Sequence, residues 1–518
     1  MSSSSDVNAI DPHAGKWVRA LAVITIAAVI RLVFAGLIPV FPDEAYYWEW
    51  SRRLAPGYFD HPPGIAALIR LGGVLLAPFG MSATPLGVRL GPALAGWIAA
   101  LGTIATARRL AGDAAAFRAA IILSVLPLAA AGLILSTPDS PLLAATAVAL
   151  YALVRALQSP PRSADSLRWW AMTGAVLGLA FSSKYTSIFL PVAAVAAIAI
   201  RPDLRARFRE PGPYVACAFA VAVFLPVLLW NSQHGWISFV FQVRHGFSAS
   251  QGSALLAAWK HLGDFFGGQA ALASPILFIL LIIAVRASLT RRSDGARFVL
   301  GAVAALSFGF FVYSCLRRRV EPNWPAPAYI PAIVLLATMR FGTRGEKWLT
   351  GGIGLAAALT LVIYAQAVVP ILPIPPQKDP IGRAFGWREL TARADSVAQS
   401  LSTETRATTW LGGDRYQEAA ELALQSPSHP TTFALNLSGR ENQYDLWPKF
   451  SAVARPGDNL LLVLDDSDVP HSTVVAVGPN FAGLRRGDLV TLRRGDGVIA
   501  TRRIWLLVNW RGTALPQR

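Results

Sequence analysis

The chain has 518 residues, 54% of them hydrophobic and 15% charged, with a mean hydropathy of +0.45. Soluble domains carry about 25% charged residues, so an ordinary soluble enzyme is excluded. The formal charge of +17 is uneven: residues 1–376 hold 30 Lys and Arg against 15 Asp and Glu, and residues 377–518 hold 17 against 15.

Residues 1–15 are polar and Ser-rich. Lys16 and Arg19 then introduce an apolar stretch to about residue 40. It is longer than a signal-peptide core and has no small-residue cleavage site, so it reads as an uncut first span. Further spans are predicted at 86–107, 117–135, 142–157, 169–183, 187–200, 214–230, 271–285, 298–315, 328–339 and 348–369, eleven with the first. The apolar segment 65–79 reads as an interfacial helix, because about 15 residues are short for a span. Basic residues test this order. They cluster at 16–19, 108–118, 155–168, 201–209, 286–297 and 340–347, in alternate loops, as cytoplasmic loops do. The N-terminus is therefore expected in the cytoplasm. The loops 41–85, 136–141, 182–186, 231–269 and 316–327, and everything after 370, are expected outside. Nucleic acid is not expected as a partner, since the arginines serve as topology signals. Membrane lipids are expected around the spans.

Pro370, Pro373, Pro375, Pro376 and Pro380 close the membrane part, 1–376, with a stiff linker. Residues 377–518 then read as a soluble α/β domain. Helices are predicted at 387–401 and 416–424, and β-runs at 408–411, 432–435, 459–464, 473–477, 488–492 and 504–508. Cys217 and Cys315 lie in or at the end of apolar runs and form no disulfide framework.

The unusual polar residues all fall in the loops assigned outside. Phe41-Pro42-Asp43-Glu44-Ala45-Tyr46-Tyr47-Trp48 follows the first span. Such a segment suits an aromatic interface belt, but a belt needs no acid pair, and a carboxylate placed there can take a proton from an incoming hydroxyl. Asp60 and His61 are presented by a loop stiffened by Pro62, Pro63 and Gly64. Asp139, in Pro138-Asp139-Ser140-Pro141, reads as a helix cap or as a site residue. Lys184 and Tyr185 interrupt two spans, with Lys184 either a snorkelling anchor or a phosphate contact. Arg317, Arg318 and Arg319 run against the positive-inside pattern, and a phosphate or anionic headgroup is the natural partner for guanidinium groups. His234, His245 and His261, spaced by 11 and 16, match no compact metal motif. No metal site is assigned and no cofactor is required; a divalent ion gathered in three dimensions by loop Asp and His residues is left open. There is no Walker sequence.

Taken in order, Phe41-Pro42-Asp43-Glu44, Phe59-Asp60-His61-Pro62-Pro63, Arg89, Pro138-Asp139-Ser140-Pro141, Ser183-Lys184-Tyr185 and Glu321-Pro322-Asn323-Trp324-Pro325-Ala326-Pro327 resemble a bacterial C-type membrane glycosyltransferase. This broad group is similar to the protein O-mannosyltransferases and to the lipid A aminoarabinose and galacturonic acid transferases. The resemblance covers most of residues 17–340. It implies a polytopic α-helical fold with a periplasmic α/β domain, in the bacterial inner membrane. It also implies a polyprenyl-phosphate sugar donor and an acceptor that is lipid A, another glycolipid or a protein. By the same resemblance Asp43 is the catalytic base, with Glu44 and Asp139 as further catalytic acids. Lys184 and Arg317 to Arg319 hold the donor phosphate, and Tyr46, Tyr47, Asp60, His61, Tyr185, Glu321, Asn323 and Trp324 contact substrate. In the aminoarabinose transferases an acid and a lysine precede the paired prolines; here Asp60-His61 stands in that place. The implied reaction is an inverting displacement at the anomeric carbon. A transporter is the rival class. It is disfavoured because no internal repeat is visible and the polar clusters lie at helix ends rather than at the midplane.

Overall fold

The computed structural model describes residues 15–247, 254–290, 292–437, 439–466 and 471–516. The polar stretch 1–14, Arg291 of the fifth basic cluster and the tip of the long external loop lie outside the described residues. In chain order the elements are α1 (Lys16–Leu37), α2 (Pro42–Arg52), α3 (Gly64–Leu76), α4 (Pro85–Val125), α5 (Pro127–Gly132), α6 (Asp139–Gln158), α7 (Ala164–Phe181), α8 (Phe189–Ile200), α9 (Gly212–Gln233), α10 (Ile237–Phe247), α11 (Ala254–Ala273), α12 (Pro275–Ser288), α13 (Gly295–Cys315), α14 (Ala326–Thr338) and α15 (Thr343–Val368). There follow α16 (Trp387–Thr405), β1 (Thr409–Gly413), α17 (Tyr416–Gln425), β2 (Thr432–Ala434), α18 (Phe450–Val453), β3 (Asn459–Asp465), α19 (Ser472–Val477), β4 (Phe481–Arg494) and β5 (Gly497–Trp510).

Each of the eleven apolar segments is largely helical. Length and apolarity alone nevertheless return fewer spans. Among the described residues six helices are long and apolar enough to cross a membrane, or seven if α11 and α12, bent by 99°, form one broken span. Two features account for most of the difference. α4 runs through two predicted segments as one 41-residue element, broken only at Ala111 and Gly112, where Gly112 takes φ +78°. α8 and α14 have 12 and 13 residues, whereas a helix perpendicular to the bilayer needs about 20. α3, with 13 residues, is likewise short.

Contacts divide the chain into two compact units. The first comprises the described part of Met1–Val33 with Pro92–Ser232 and Gln242–Tyr364. Its centre is α6 and α14, most of whose residues are buried. The outer faces of α1, α9 and α12 leave Val29, Val33, Leu225, Leu229, Ile279 and Ile283 exposed, as lipid-facing helices do. α7 meets α9 through Gly174 and Gly178: a Cβ at Gly174 would lie 2.0 Å from the Ala216 carbonyl oxygen, and one at Gly178 would lie 2.6 Å from Val223 Cβ. Small residues four apart allow this close approach of backbones.

The second unit comprises Phe34–Gly91, Gln233–Phe241 and Ala365–Arg518. It holds a five-stranded sheet of order β2-β1-β3-β5-β4. β1 is parallel to β2 and β3, and the β4–β5 hairpin joins antiparallel to β3. β3 is buried on both faces: Leu461 and Val463 pack with Trp387, Leu390 and Leu422 under α16 and α17, while Leu460, Leu462 and Leu464 pack with Phe450, Val474 and Val477. An uninterrupted apolar run is what a doubly covered strand requires. The β-run predicted at 473–477 is instead the short helix α19. His471 accepts a hydrogen bond from the Thr473 amide as its cap, and the i,i+3 pair Val474 and Val477 enters the core. Here packing overrides the strand preference of β-branched residues.

The proline linker is held to the sheet. Arg494 pairs with Asp379 at 2.5 Å and donates to the carbonyls of Gln366 and Ala367, while Gln366 donates to Asp379 at 2.9 Å. The segment 34–91 adds a further core to the same unit. Tyr46, Trp50, Tyr58, Ile65 and Ile69 pack with Ala419, Ala420, Ala423 and Tyr444.

Candidate active site

α2 presents the first group of predicted residues. Pro42 occupies the first helical position and needs no donor there. Asp43 and Glu44 in the first turn face the positive end of the helix dipole. Helical spacing places Tyr46 and Tyr47 on the same side as Asp43, whereas Glu44 engages Arg89. Arg89 Nε donates to Glu44 Oε1 at 2.8 Å, and Arg89 Nη2 and the Phe41 amide both donate to Oε2. Arg89 is 1% exposed and also donates to the carbonyls of Ala35, Ile38 and Pro39 at 2.9, 2.6 and 2.8 Å. Ala35 lies in the last turn of α1, whose carbonyls have no partner within the helix, and Ile38 and Pro39 follow directly after it. Both Glu44 oxygens are therefore occupied.

Asp43 differs. It is solvent-accessible; Tyr416 Oη donates to its Oδ1 at 3.1 Å, and among the described residues no hydrogen bond reaches Oδ2. The protein atoms crowded around it raise its pKa above the usual carboxylate value, opposed by the Tyr416 hydroxyl, Arg440 and Arg383. Asp60 is 2% exposed. Its Oδ2 accepts from Tyr46 Oη at 2.6 Å and its Oδ1 from Arg440 Nη1 at 2.6 Å. Burial pushes its pKa up, with Arg440 and Tyr46 opposing. The Gln443 amide donates to Tyr46 Oη at 2.6 Å, and Gln443 Oε1 accepts from the Phe59 amide at 2.7 Å. Rings line this group: Tyr46 lies 4.3 Å from Tyr416, and Tyr47 lies 6.4 Å from His61, centroid to centroid.

In the first unit a different group forms. Lys184, at the turn between α7 and α8, donates to Asp139 Oδ1 at 2.7 Å, and Asn323 Nδ2 donates to Asp139 Oδ2 at 3.0 Å. The Lys184 and Asp139 side chains are 13% and 8% exposed. The loop bearing Asn323 is tied down when Gln269 donates to the Pro322 carbonyl at 2.8 Å and accepts from Tyr329 Oη at 2.8 Å. Tyr185 Oη accepts from Asn231 at 3.3 Å. Of the three consecutive arginines, Arg317 lies over the Tyr313 ring, Arg318 over the Trp324 ring, and Arg319 pairs loosely with Glu321 at 3.8 Å. Arg317 and Arg319 are exposed. His261 Nδ1 sits 3.3 Å from the Cys315 carbonyl oxygen. Among the described residues no three His, Cys, Asp or Glu side chains converge as a metal would need.

Tyr416, Arg440 and Gln443 were not legible as site residues, because each lies more than 370 positions from its partner in the first external loop. Arg89 carried a signal of its own: a cation at the start of an apolar run must be paired.

The chain is similar to several known proteins. Residues 60–230 match the family described as dolichyl-phosphate-mannose-protein mannosyltransferase. The chain is 28% identical over 378 residues, 71% of its length and 74% of the relative's, to a lipid A galacturonosyltransferase, RgtD, of Rhizobium johnstonii. The fold matches crystal structures of ArnT from Cupriavidus metallidurans. The apo form aligns with a TM-score of 0.64 at 19% identity, over 95% of this chain and 97% of that one, and the form bound to undecaprenyl phosphate aligns equally well at 18% identity. The archaeal oligosaccharyltransferase AglB from Archaeoglobus fulgidus shares the fold more distantly, with a TM-score of 0.51 at 12% identity over 86% of this chain and 69% of that one. With its apolar helices, its ordered loop motifs and these likenesses, the chain is a membrane glycosyltransferase of the C type.

Proposed function

We propose that the enzyme transfers a sugar from a polyprenyl-phosphate donor to a lipid A-like glycolipid at the periplasmic face of a bacterial inner membrane, with inversion at the anomeric carbon. The observation that carries this reading is Asp43, a solvent-accessible carboxylate with one oxygen oriented by Tyr416 and the other open among the described residues. The acceptor hydroxyl gives its proton to Asp43 as its oxygen bonds to the anomeric carbon. The bond from that carbon to the phosphate oxygen breaks, and polyprenyl phosphate departs. A phosphate leaving group needs nearby cations rather than a general acid. Lys184 takes that part, with Arg317 to Arg319 supplying further positive charge. Asp139 and Asn323 position Lys184, Glu44 positions α2 through Arg89, and Tyr46, Tyr47, His61, Tyr185, Glu321 and Trp324 line the substrates. Residues 1–376 form the membrane catalytic part in eleven spans, with a cytoplasmic N-terminus and residues 377–518 in the periplasm.

The undecaprenyl phosphate in the ArnT crystal structure and the name of the Rhizobium relative support a lipid donor and a lipid acceptor. The description of the matched family favours a protein acceptor instead. The two readings separate when purified enzyme is incubated with undecaprenyl-phosphate sugars and either lipid A or an unfolded polypeptide, and the products are weighed by mass spectrometry. General-base catalysis contributes about 10²- to 10⁴-fold, so Asp43→Asn should lower transfer by at least about 10²-fold in a folded, inserted protein. Near-normal transfer by that variant would sink the assignment. Because the protein atoms crowded around Asp43 raise its pKa and the base must be ionised, transfer by the wild type should fail as pH drops through a value above the usual aspartate pKa of about 3.9.

A further inference from the structure

The two loop acids are held by side chains from the other end of the chain. Tyr416 Oη donates to Asp43 at 3.1 Å, and Arg440 donates to Asp60 at 2.6 Å. The Arg440 guanidinium also lies over two rings, 5.0 Å from Phe241 and 5.5 Å from Tyr416. Arg440 thus touches Asp60 itself and Tyr416, the partner of Asp43. Asp60 is left with both oxygens occupied, by Tyr46 and Arg440, while Asp43 keeps one oxygen open among the described residues.

We propose that Tyr416 and Arg440 are positioning residues for the transfer: Tyr416 orients the Asp43 carboxylate, and Arg440 holds both Tyr416 and Asp60, so that Asp43 alone is left to accept the proton. The C-terminal sheet unit is on this account a component of the reaction, which the loop acids do not carry out unaided. The inference deepens the reading of Asp43 as base and rests on it.

The groups acting on Asp43 are Tyr416, Arg440, Arg383 and Glu44, with Tyr47 and Glu421 also sensing its charge. Those acting on Asp60 are Arg440, Tyr46 and Asp43, with Tyr47 and Tyr416 sensing it. A hydrogen bond or a cation directed at a carboxylate favours its charged form. Removing the Tyr416 hydroxyl must therefore raise the Asp43 pKa, and removing the Arg440 cation must raise that of Asp60.

The test uses the full-length enzyme and needs no substrate at first. Water-soluble carbodiimide modifies protonated carboxyls, and peptide mass spectrometry follows labelling of the solvent-accessible Asp43 against pH. In Tyr416→Phe the midpoint for Asp43 should move up by about one pH unit, the size of a charge-assisted hydrogen bond. In Arg440→Gln the Asp43 midpoint should also move up, because that cation acts on Asp43 as well, and Arg440→Lys should restore part of the shift. Unmoved midpoints in variants that keep the wild-type melting temperature overturn the proposal.

Transfer supplies the second readout, with undecaprenyl-phosphate-linked galacturonic acid, aminoarabinose and mannose offered in turn and lipid A as acceptor. Tyr416→Phe should lower kcat about tenfold while donor KM changes less than about twofold, and the acid limb should move with the labelling midpoint. If Asp43→Asn is inactive while Tyr416→Phe and Arg440→Gln match the wild type, this proposal falls and the base assignment stands. If Asp43→Asn transfers normally, both fall.

Discussion

Asp43 and Glu44 are adjacent in sequence and opposite in environment. Glu44 meets a 1% exposed arginine with both oxygens, whereas Asp43 meets a tyrosine with one and solvent with the other. The difference is geometric: neighbours on a helix point about 100° apart, so only one of two consecutive acids can face the tyrosines. This makes Arg89 a structural residue. Arg89→Ala would leave Glu44 charged and unpaired in a buried site, a loss of about 3–5 kcal/mol, and the melting temperature in detergent should fall accordingly. Replacing Glu44 by Gln in the same chain should recover part of that loss. Lys184 belongs to the donor side of the proposed reaction. Lys184→Gln should raise donor KM about tenfold, equivalent to about 1.4 kcal/mol, with a smaller change in acceptor KM. An equal rise in both would remove its assignment to the donor phosphate.

At the scale of elements, the apolar segments were legible as helices because hydrophobicity along the chain is all that insertion requires. Their ends were less so. The Ala111–Gly112 break, the 99° bend before Pro275 and the short α8 and α14 arise where the backbone turns or a neighbouring helix covers the polar groups. Glycine pairs show the same dependence on a neighbour: Gly174 and Gly178 read as ordinary small residues until α9 is seen lying against them. Gly174→Leu should force α7 and α9 apart and cost about 1–3 kcal/mol by overpacking. Thermal unfolding should show this loss, while the equivalent change at Gly351, where a Cβ meets nothing within 4 Å, should have little effect. In the sheet, β1, β2, β3 and the hairpin strands followed from β-rich runs. α19 did not, because Val474 and Val477 are brought into the core by a helical turn rather than a pleat.

At the scale of the whole molecule, the loop that carries Asp43 and Asp60 shares a core with α17, from the C-terminal part of the same unit. Deleting residues 377–518 should therefore expose Tyr46, Trp50 and Ile65, open the segment 41–85 to limited proteolysis, and reduce transfer by at least about 10²-fold. A truncated enzyme that transfers at the wild-type rate would contradict this dependence.

Composition, the alternation of basic clusters and the order of the loop motifs were enough to identify a polytopic membrane glycosyltransferase and to single out Asp43, Asp60, Asp139 and Lys184. These features are local, since insertion and loop presentation depend on runs of neighbouring residues. Only the tertiary structure decided which acids are engaged and by what. Arg89 takes Glu44, Arg440 and Tyr46 take Asp60, Lys184 and Asn323 take Asp139, and Tyr416 leaves Asp43 one open oxygen among the described residues. The physical reason is separation along the chain: such pairings span from 14 to 380 positions, and no periodicity in the sequence records a contact that folding alone creates.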